Sequence, residues 1–531
     1  MTTVVIGSGP AGAAAAQGLC DRGVDVTVLD AGDTIEAGRM ELFDDLARSD
    51  PERWPQGLAR RARGVFPADI ANVPRKPAYG SLFPYVLDDP DLPIARVHAA
   101  TLSSLAYGGL SNAWGAALLP YRRRDIADWP ISLEELGPHY EAVLRFVPIA
   151  AERDELAEVL PLYTDTPATL RRGRQTQALL AHLRRHARAL ERAGFTFGAS
   201  RLAVVAAQEH PGHCRHCGLC LYGCPYRSIY NSARTVEALA RDGRVDYRGG
   251  VYVDRLSESG DSVVIDFHER RRPRETGRLI ASRVFVACGS ISSTRLMFES
   301  IGYTRRAHRL KDSQYFAIPM LTRRAVPVSV ATQGNTLAQV FVELEDARIS
   351  AHAIHLQVYG YNDIMLSALA RRLPVGEGAL ERFMQPLLGR MVVIQGFMHS
   401  ADSPGLELVC DAGGLRVKGD DERAGVARVR RVARSLAAHG RLLGMAPVPG
   451  TAHVGAPGKS NHLGGSLPMR RQPGPLETDT LGRVPGWDRV HVVDASVFPS
   501  IPATTVTLSV MANAHRIAVA AAKIEAQCPG S

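Results

Sequence analysis

The stretch from Thr3 to Asp30 constrains the chain more than any other part of it. Thr3-Val4-Val5-Ile6 reads as a strand, followed by Gly7-Ser8-Gly9-Pro10-Ala11-Gly12 and an alanine-rich helix to about Arg22. After Gly23 a second strand, Val26-Thr27-Val28-Leu29, ends in Asp30. Strand, G-x-G-x-x-G, helix, strand and acid within about 30 residues make up the dinucleotide-binding βαβ unit. Gly7 permits the tight turn, Gly9 lets the backbone approach a pyrophosphate, and Gly12 allows close packing of helix on strand. The helix N-terminus offers amide donors to phosphate. Asp30 is placed to bind a ribose 2′-hydroxyl, which disfavours a 2′-phosphate there. The motif alone does not separate NAD from FAD.

Further pieces of the same fold lie far along the chain. Arg283 to Ser290 reads as a buried strand with a helical run from Ser292, and Val251-Tyr252-Val253 and Val263 to Phe267 read as short strands. Val490 to Asp494 is another buried strand, and Leu508 to Ala526 an amphipathic helix. The nucleotide-binding part is therefore discontinuous. Between 310 and 450 the texture changes: Gln339 to Glu343 and Ala351 to Tyr359 alternate by two, the pattern of a sheet with one face covered. The fold expected is α/β (α+β overall). It has a discontinuous Rossmann-like domain at 1–309 and 451–531 and an inserted, mostly antiparallel-sheet substrate domain at 310–450.

Composition excludes several classes. With 45% hydrophobic and 22% charged residues over 531 positions, the chain is an ordinary globular one, neither disordered nor collagen-like. No apolar run reaches about 18 residues, so no transmembrane segment is expected. No basic n-region precedes the first strand, and a cytoplasmic location is the default. The net charge of +9 comes almost wholly from arginine, scattered in short pieces such as Arg122-Arg123-Arg124. There is no basic helix with interleaved aromatics, so nucleic acid is not an expected partner.

Four of the eight cysteines stand alone, while Cys214, Cys217, Cys220 and Cys224 fall within eleven residues and precede Pro225. This C-x2-C-x2-C-x3-C-P run, in a loop near 211–228, has the spacing of bacterial ferredoxins. One iron–sulfur cluster, a structural zinc or metal-free thiols all accommodate it.

The motifs taken together resemble the glucose–methanol–choline (GMC) family of FAD oxidoreductases, in a subgroup with a four-cysteine loop. After the first turn come Gly108-Gly109-Leu110-Ser111-Asn112-Ala113-Trp114-Gly115, then Val286 to Ser290 with Ser293-Thr294-Arg295-Leu296. Asn461-His462-Leu463-Gly464-Gly465, Val493-Asp494-Ala495-Ser496 and Met511-Ala512-Asn513 complete the series in the family's order. The resemblance implies that an alcohol loses hydride to the flavin while a base takes the hydroxyl proton. Histidine suits that base because its pKa lies near working pH, and the resemblance puts His462 in the role. Thr505 stands where the family usually has a second His or Asn. Its hydroxyl hydrogen-bonds but is no base near neutral pH, which leaves His462 the sole base. Gly109, Ser111, Asn112 and Trp114 resemble the stretch beside the flavin ring, with no histidine to bond it covalently, so the FAD is expected to dissociate. Gly7, Gly9, Gly12, Asp30, Val251 and Asp494 complete the expected cofactor contacts.

Three functions follow as expectations. The first is a dehydrogenase passing electrons to an acceptor protein, a quinone or a dye, with the cysteine loop as a one-electron exit. The second is an oxidase making hydrogen peroxide. The third is a flavin and iron–sulfur carrier without an alcohol substrate. Tyr359, Tyr361, Asn362 and Asp363 mix rings with hydrogen-bonding groups, which suits a sugar or amino-sugar alcohol.

Overall fold

A computed structural model of the protein describes residues 2–55, 57–63, 76, 78–329, 332–362, 386–411 and 413–527. Asp363 and Cys528 lie outside the described residues. The βαβ unit forms where the pattern places it. Strand Thr2–Ile6 runs into helix Pro10–Cys20, whose first position is proline, and strand Val26–Asp30 follows. Proline is favoured there because its missing N–H would have no helical partner. Strands Val245–Gly249, Val26–Asp30, Thr2–Ile6, Arg272–Val286 and Val490–Val492 pair in that order, all parallel. The sheet thus gathers pieces from both ends and the middle of the sequence, as expected. The strand read as starting at Arg283 begins at Arg272, because its first half pairs antiparallel with Ser262–Glu269 and through it with Val251–Ser259. Helix Thr507–Gln527 closes the chain against Pro10–Cys20.

A second sheet is antiparallel throughout, in the order Met445–Pro447, Tyr315–Thr322, Met391–Phe397, Ile354–Tyr359, Val340–Leu344 and Phe195–Ala199. Its last strand comes from well before residue 310. A third sheet joins Leu463–Gly464, Ala307–Asp312, Leu406–Asp411, Gly414–Gly419 and Ile94–Val97, so the 310–450 segment is shared between two sheets. The alternation in the second sheet was read as one covered face, whereas every residue of Val340–Leu344 and Ile354–Tyr359 is buried. Both faces are covered for different reasons. Val340, Val342, Leu344, Ile354, Leu356 and Val358 pack on helices Arg174–Arg185 and Arg423–Ala438 in a core of their own. The alternate residues turn the other way, and Phe341 and Tyr359 among them join the core of the nucleotide-binding half.

Candidate functional site

A long cleft opens along the C-terminal ends of the parallel strands, with about 1400 Å³ of empty space counting its mouth. Its walls include Gly7, Gly9, Asp30, Gly109, Val251, Asp494, Asn461, Leu463 and Val506. Ligand crevices of doubly wound sheets lie at this end of the strands.

The glycine turn is built by steric necessity. Gly7 has φ of 103°, and a Cβ there would stand 2.5 Å from the Ala287 carbonyl oxygen. A Cβ on Gly12 would stand 1.9 Å from the Gly7 oxygen, so helix and turn touch without room for one carbon. A Cβ on Gly9 would meet nothing within 4 Å, since that position faces the open cleft. A cradle with two closed glycines and one open one suits a pyrophosphate laid against backbone. FAD therefore fits the residues present, with the glycine turn, Val251, Asp494, Asn461 and Leu463 all on the walls of one cleft.

Asp30 lines the cleft, but its carboxylate is already engaged. The Ser8 amide and hydroxyl donate to it at 3.2 and 2.5 Å, and the Tyr247 hydroxyl donates at 3.1 Å. Burial pushes its pKa up to about 6 against those hydrogen bonds. The Gly108 amide donates to the Ser8 hydroxyl at 2.8 Å, so Asp30 also ties the first turn to the second glycine segment. Asp494 is likewise filled by its own chain: the Gly289 amide and Ser293 hydroxyl donate to one oxygen, and the Ser496 amide and hydroxyl to the other.

Ser111, Asn112 and Trp114 are not on the cleft wall. The Ser111 hydroxyl donates to the Gly108 carbonyl at 2.6 Å, and the Asn112 amide to the carbonyls of Tyr107 and Gly109. Trp114 Nε1 donates to the Tyr230 carbonyl at 3.0 Å. These side chains brace the turn that puts Gly109 against Gly9. Sequence reading passed over Tyr252, Asp254 and Arg295 as site residues, and all three line the cleft. Arg295 stood inside a quoted motif, which was the one available signal.

His462 sits between two wall residues, Asn461 and Leu463, and is itself turned toward the second sheet. Its ring stacks on Phe397 with centroids 4.6 Å apart. The loop is held from below: the His462 amide donates to the Ser460 hydroxyl at 2.8 Å, and that hydroxyl donates to buried Asp312 at 2.5 Å. Asp312 also accepts from the Gly458 amide, and the Ser313 amide donates to the His462 carbonyl. The backbone at 462 is thus fixed while the imidazole Nδ1 is buried without a hydrogen-bond partner. Burial, with His355 nearby, pushes the His462 pKa down to about 3. The ring is uncharged near neutral pH. Thr505 is buried, and its hydroxyl too has no partner. Ala503, two residues earlier, packs with Phe397.

Cys214, Cys217, Cys220 and Cys224 are free thiols lining one small cavity with Tyr226, Ser228 and Leu337. The Cys224 sulfur accepts the Ser228 N–H at 3.2 Å, and the Cys214 sulfur lies 3.8 Å from His216 Nδ1. Burial pushes the Cys214 thiol up to about 12 and raises Cys217 and Cys220 as well. Among the described residues, no group of three or more His, Cys, Asp or Glu side chains is arranged to hold a metal ion. The iron–sulfur expectation is therefore not supported by the arrangement as it stands. Buried Lys76 lies near Cys220 and Cys224 and donates to the Trp114 carbonyl at 2.7 Å, which ties the cysteine loop to the glycine segment.

With this geometry in place, known proteins give a consistent comparison. Residues 5–42 match the NAD(P)-binding Rossmann-like domain, and residues 396–514 match the GMC oxidoreductase model. Residues 396–514 are a GMC oxidoreductase domain. They contain His462, its Phe397 partner and Thr505. Paromamine 6′-oxidase of Streptomyces fradiae is 25% identical over 564 residues, covering 98% of this chain and 91% of that protein. Among solved structures, pyridoxine 4-oxidase from Mesorbium loti superposes with a TM-score of 0.58 at 16% identity, over 97% of this chain and 98% of that one. An Aspergillus oryzae formate oxidase reaches 0.63 at 12% identity, over 99% and 98%. These solved structures share the fold of the whole chain. The chain is an enzyme of the oxidoreductase class. Among the described residues no helix is long and apolar enough to cross a membrane.

Proposed function

We propose that the chain oxidises a CH–OH group of a small polar alcohol with FAD as cofactor and His462 as base. FAD bound in the cleft supplies a hydride acceptor. The observation that carries the reading is His462, which stands between the cleft-wall residues Asn461 and Leu463 with its backbone fixed and its ring uncharged. A neutral imidazole is what a substrate hydroxyl needs in order to give up its proton. Thr505 stands as a hydrogen-bonding group with no proton to take. Gly7, Gly9, Gly12, Gly109, Val251 and the Asp30 and Asp494 brackets shape the cofactor end. Residues 1–309 and 451–531 serve the cofactor in this reading, and 310–450 the substrate.

The substrate class is a sugar or amino-sugar alcohol. Similarity to paromamine 6′-oxidase supports it. Mixing purified protein with paromamine without oxygen should bleach the flavin absorbance. His462→Asn should retain FAD yet bleach about 10²- to 10⁴-fold more slowly. Equal bleaching rates in both proteins would sink the base assignment, and a colourless protein unable to take up FAD would sink the cofactor.

A second reading concerns where the electrons go. Four thiols bordering one cavity, in the spacing of bacterial ferredoxins, support an iron–sulfur cluster in protein that has taken up iron, and hence an external acceptor. About four irons and matching acid-labile sulfide per chain after anaerobic purification are expected. Iron-free protein that makes peroxide in proportion to product would instead establish an oxidase, the activity in the names of the relatives above.

A further inference from the structure

A left-handed residue stands directly before His462. Asn461 has φ of 58°, a region that L-residues enter at a cost, although asparagine feels it less than most. Asn461 is also part of the cleft wall. A residue held in such a conformation needs its surroundings to keep it there.

The bonds that do so converge on Asp312, the last residue of strand Ala307–Asp312. One carboxylate oxygen accepts from the Gly458 amide at 2.7 Å, and the other from the Ser460 hydroxyl at 2.5 Å. The His462 amide donates to Ser460 Oγ at 2.8 Å, so a single hydroxyl joins carboxylate and base across Asn461. Beyond the base the chain returns to the same strand. The Ser313 amide donates to the His462 carbonyl at 3.2 Å, Leu463 pairs with Asp312, and Gly464 pairs with Lys311. Positions 458, 460, 462 and 463 are all tied to one short piece of strand, and Asn461 takes up the turn between them.

Asp312 is a costly group to use for this. It is buried, which pushes its pKa up to about 6, so it is ionised above that pH. Hydrogen bonds from Ser460, Gly458 and Ser313 work against that burial, and among the described residues no positive side chain does. Burying an unpaired charge is unfavourable. In return a carboxylate offers two acceptor atoms where an amide offers one, and its hydrogen bonds are roughly twice as strong as those between neutral groups. Both loop donors therefore meet a strong acceptor. We propose that Asp312 and Ser460 are positioning residues of the reaction: the carboxylate, relayed through the Ser460 hydroxyl, holds Asn461 left-handed and so sets the direction in which the His462 ring leaves the backbone. They act through the backbone alone. The inference rests on His462 being the base.

Two measurements on FAD-loaded protein test the hold. Amide hydrogen exchange across residues 458–464, read by mass spectrometry, needs no substrate. It should speed up about tenfold in Ser460→Ala and return to the wild-type rate in Ser460→Thr, which keeps the hydroxyl. In anaerobic flavin reduction with paromamine, Ser460→Ala should lower the limiting rate about ten- to a hundred-fold. FAD content and the half-saturating paromamine concentration should not change, and Ser460→Thr should restore the rate. Combining Asp312→Asn with Ser460→Ala should slow reduction no further than Asp312→Asn alone, because both act through one relay. Wild-type exchange in Ser460→Ala overturns the proposal, as does a wild-type limiting rate in Ser460→Ala while His462→Asn is inactive. Loss of FAD in step with rate overturns it too, since Ser460 would then serve the fold and not the base. A fully active His462→Asn brings down the base reading, and wild-type flavin that stays oxidised brings down the substrate reading. In either case exchange alone decides whether Ser460 holds the loop. Should Ser460→Thr or Asp312→Asn not fold, Ser460→Ala, which removes one oxygen, carries the test alone.

Discussion

The glycine turn at 7–12 lines the cleft, the row Glu343, His355, Phe397 across the second sheet is buried away from its walls, and the two are specified differently. In the turn, backbone meets backbone: the Gly7 carbonyl fills the place of any side chain at 12, and the Ala287 carbonyl does the same at 7. In the row, side chain meets side chain across strands, through one hydrogen bond and one ring stack. A contact between backbones admits one residue type. A contact between side chains admits many, and so can be retuned for a substrate while the cofactor end stays fixed. Their difference predicts opposite failures.

The largest effect should come from Gly12→Ala. The new carbon would stand 1.9 Å from the Gly7 oxygen, and neither the turn nor the helix can move without displacing strand Thr2–Ile6. Strain in a packed interior of this kind costs about 3 kcal/mol or more. The variant should be recovered colourless and protease-sensitive, with no gain from added FAD. A yellow, stable Gly12→Ala protein would mean that the turn is not held by backbone contact.

Phe397→Leu should fail the other way. It keeps an apolar core residue but removes the ring between His355 and His462, at a cost of about 1–2 kcal/mol. FAD should stay bound, since no cleft wall is touched. Flavin reduction should slow about tenfold, because the imidazole loses the surface that orients it. Loss of FAD together with rate would show that the two regions are not separable.

The same difference decides what the sequence reveals. Gly7, Gly9 and Gly12 are legible because sterics leave no alternative at those positions, and the parallel strands follow from their apolar runs. Asp30 was legible as a cleft residue, but not as the acceptor of Tyr247, which lies 217 positions away. Ser111, Asn112 and Trp114 belong to a readable motif, yet the first two side chains serve the turn's own carbonyls and the third the distant Tyr230 carbonyl. The alternation at 351–359 announced a strand correctly. It could not say that both faces would be covered, since that depends on helices 174–185 and 423–438 arriving from elsewhere. Nor could it pair Glu343 with His355, which needs the register of two strands. His462 was readable from its neighbours in sequence, whereas the Phe397 ring that orients it was not.

The smallest effect separates two buried histidines, one in each region. His491 lies on the nucleotide-binding sheet, with its ring stacked on Phe285 at 5.0 Å and Nδ1 donating to the Leu481 carbonyl at 2.9 Å. Burial pushes its pKa down to about 3, below the value of about 6.5 expected in the unfolded chain. The neutral ring is therefore favoured in the folded state. Its contribution is whole above pH 6.5 and is lost as pH falls through the interval toward 3, because the unfolded chain then binds the extra proton. By pH 5 the loss amounts to roughly 2 kcal/mol. His491→Gln keeps a donor for Leu481 but has no proton to gain. It should be less stable than the wild type at pH 7.5, and the gap should narrow by that amount at pH 5 in denaturant unfolding. Flavin reduction should be unchanged at both pH values, in contrast to His462→Asn, since His491 touches only the sheet and its cover. A gap that stays constant with pH would show that water reaches the His491 ring, and a slowed reduction would place that strand in the catalytic half of the comparison.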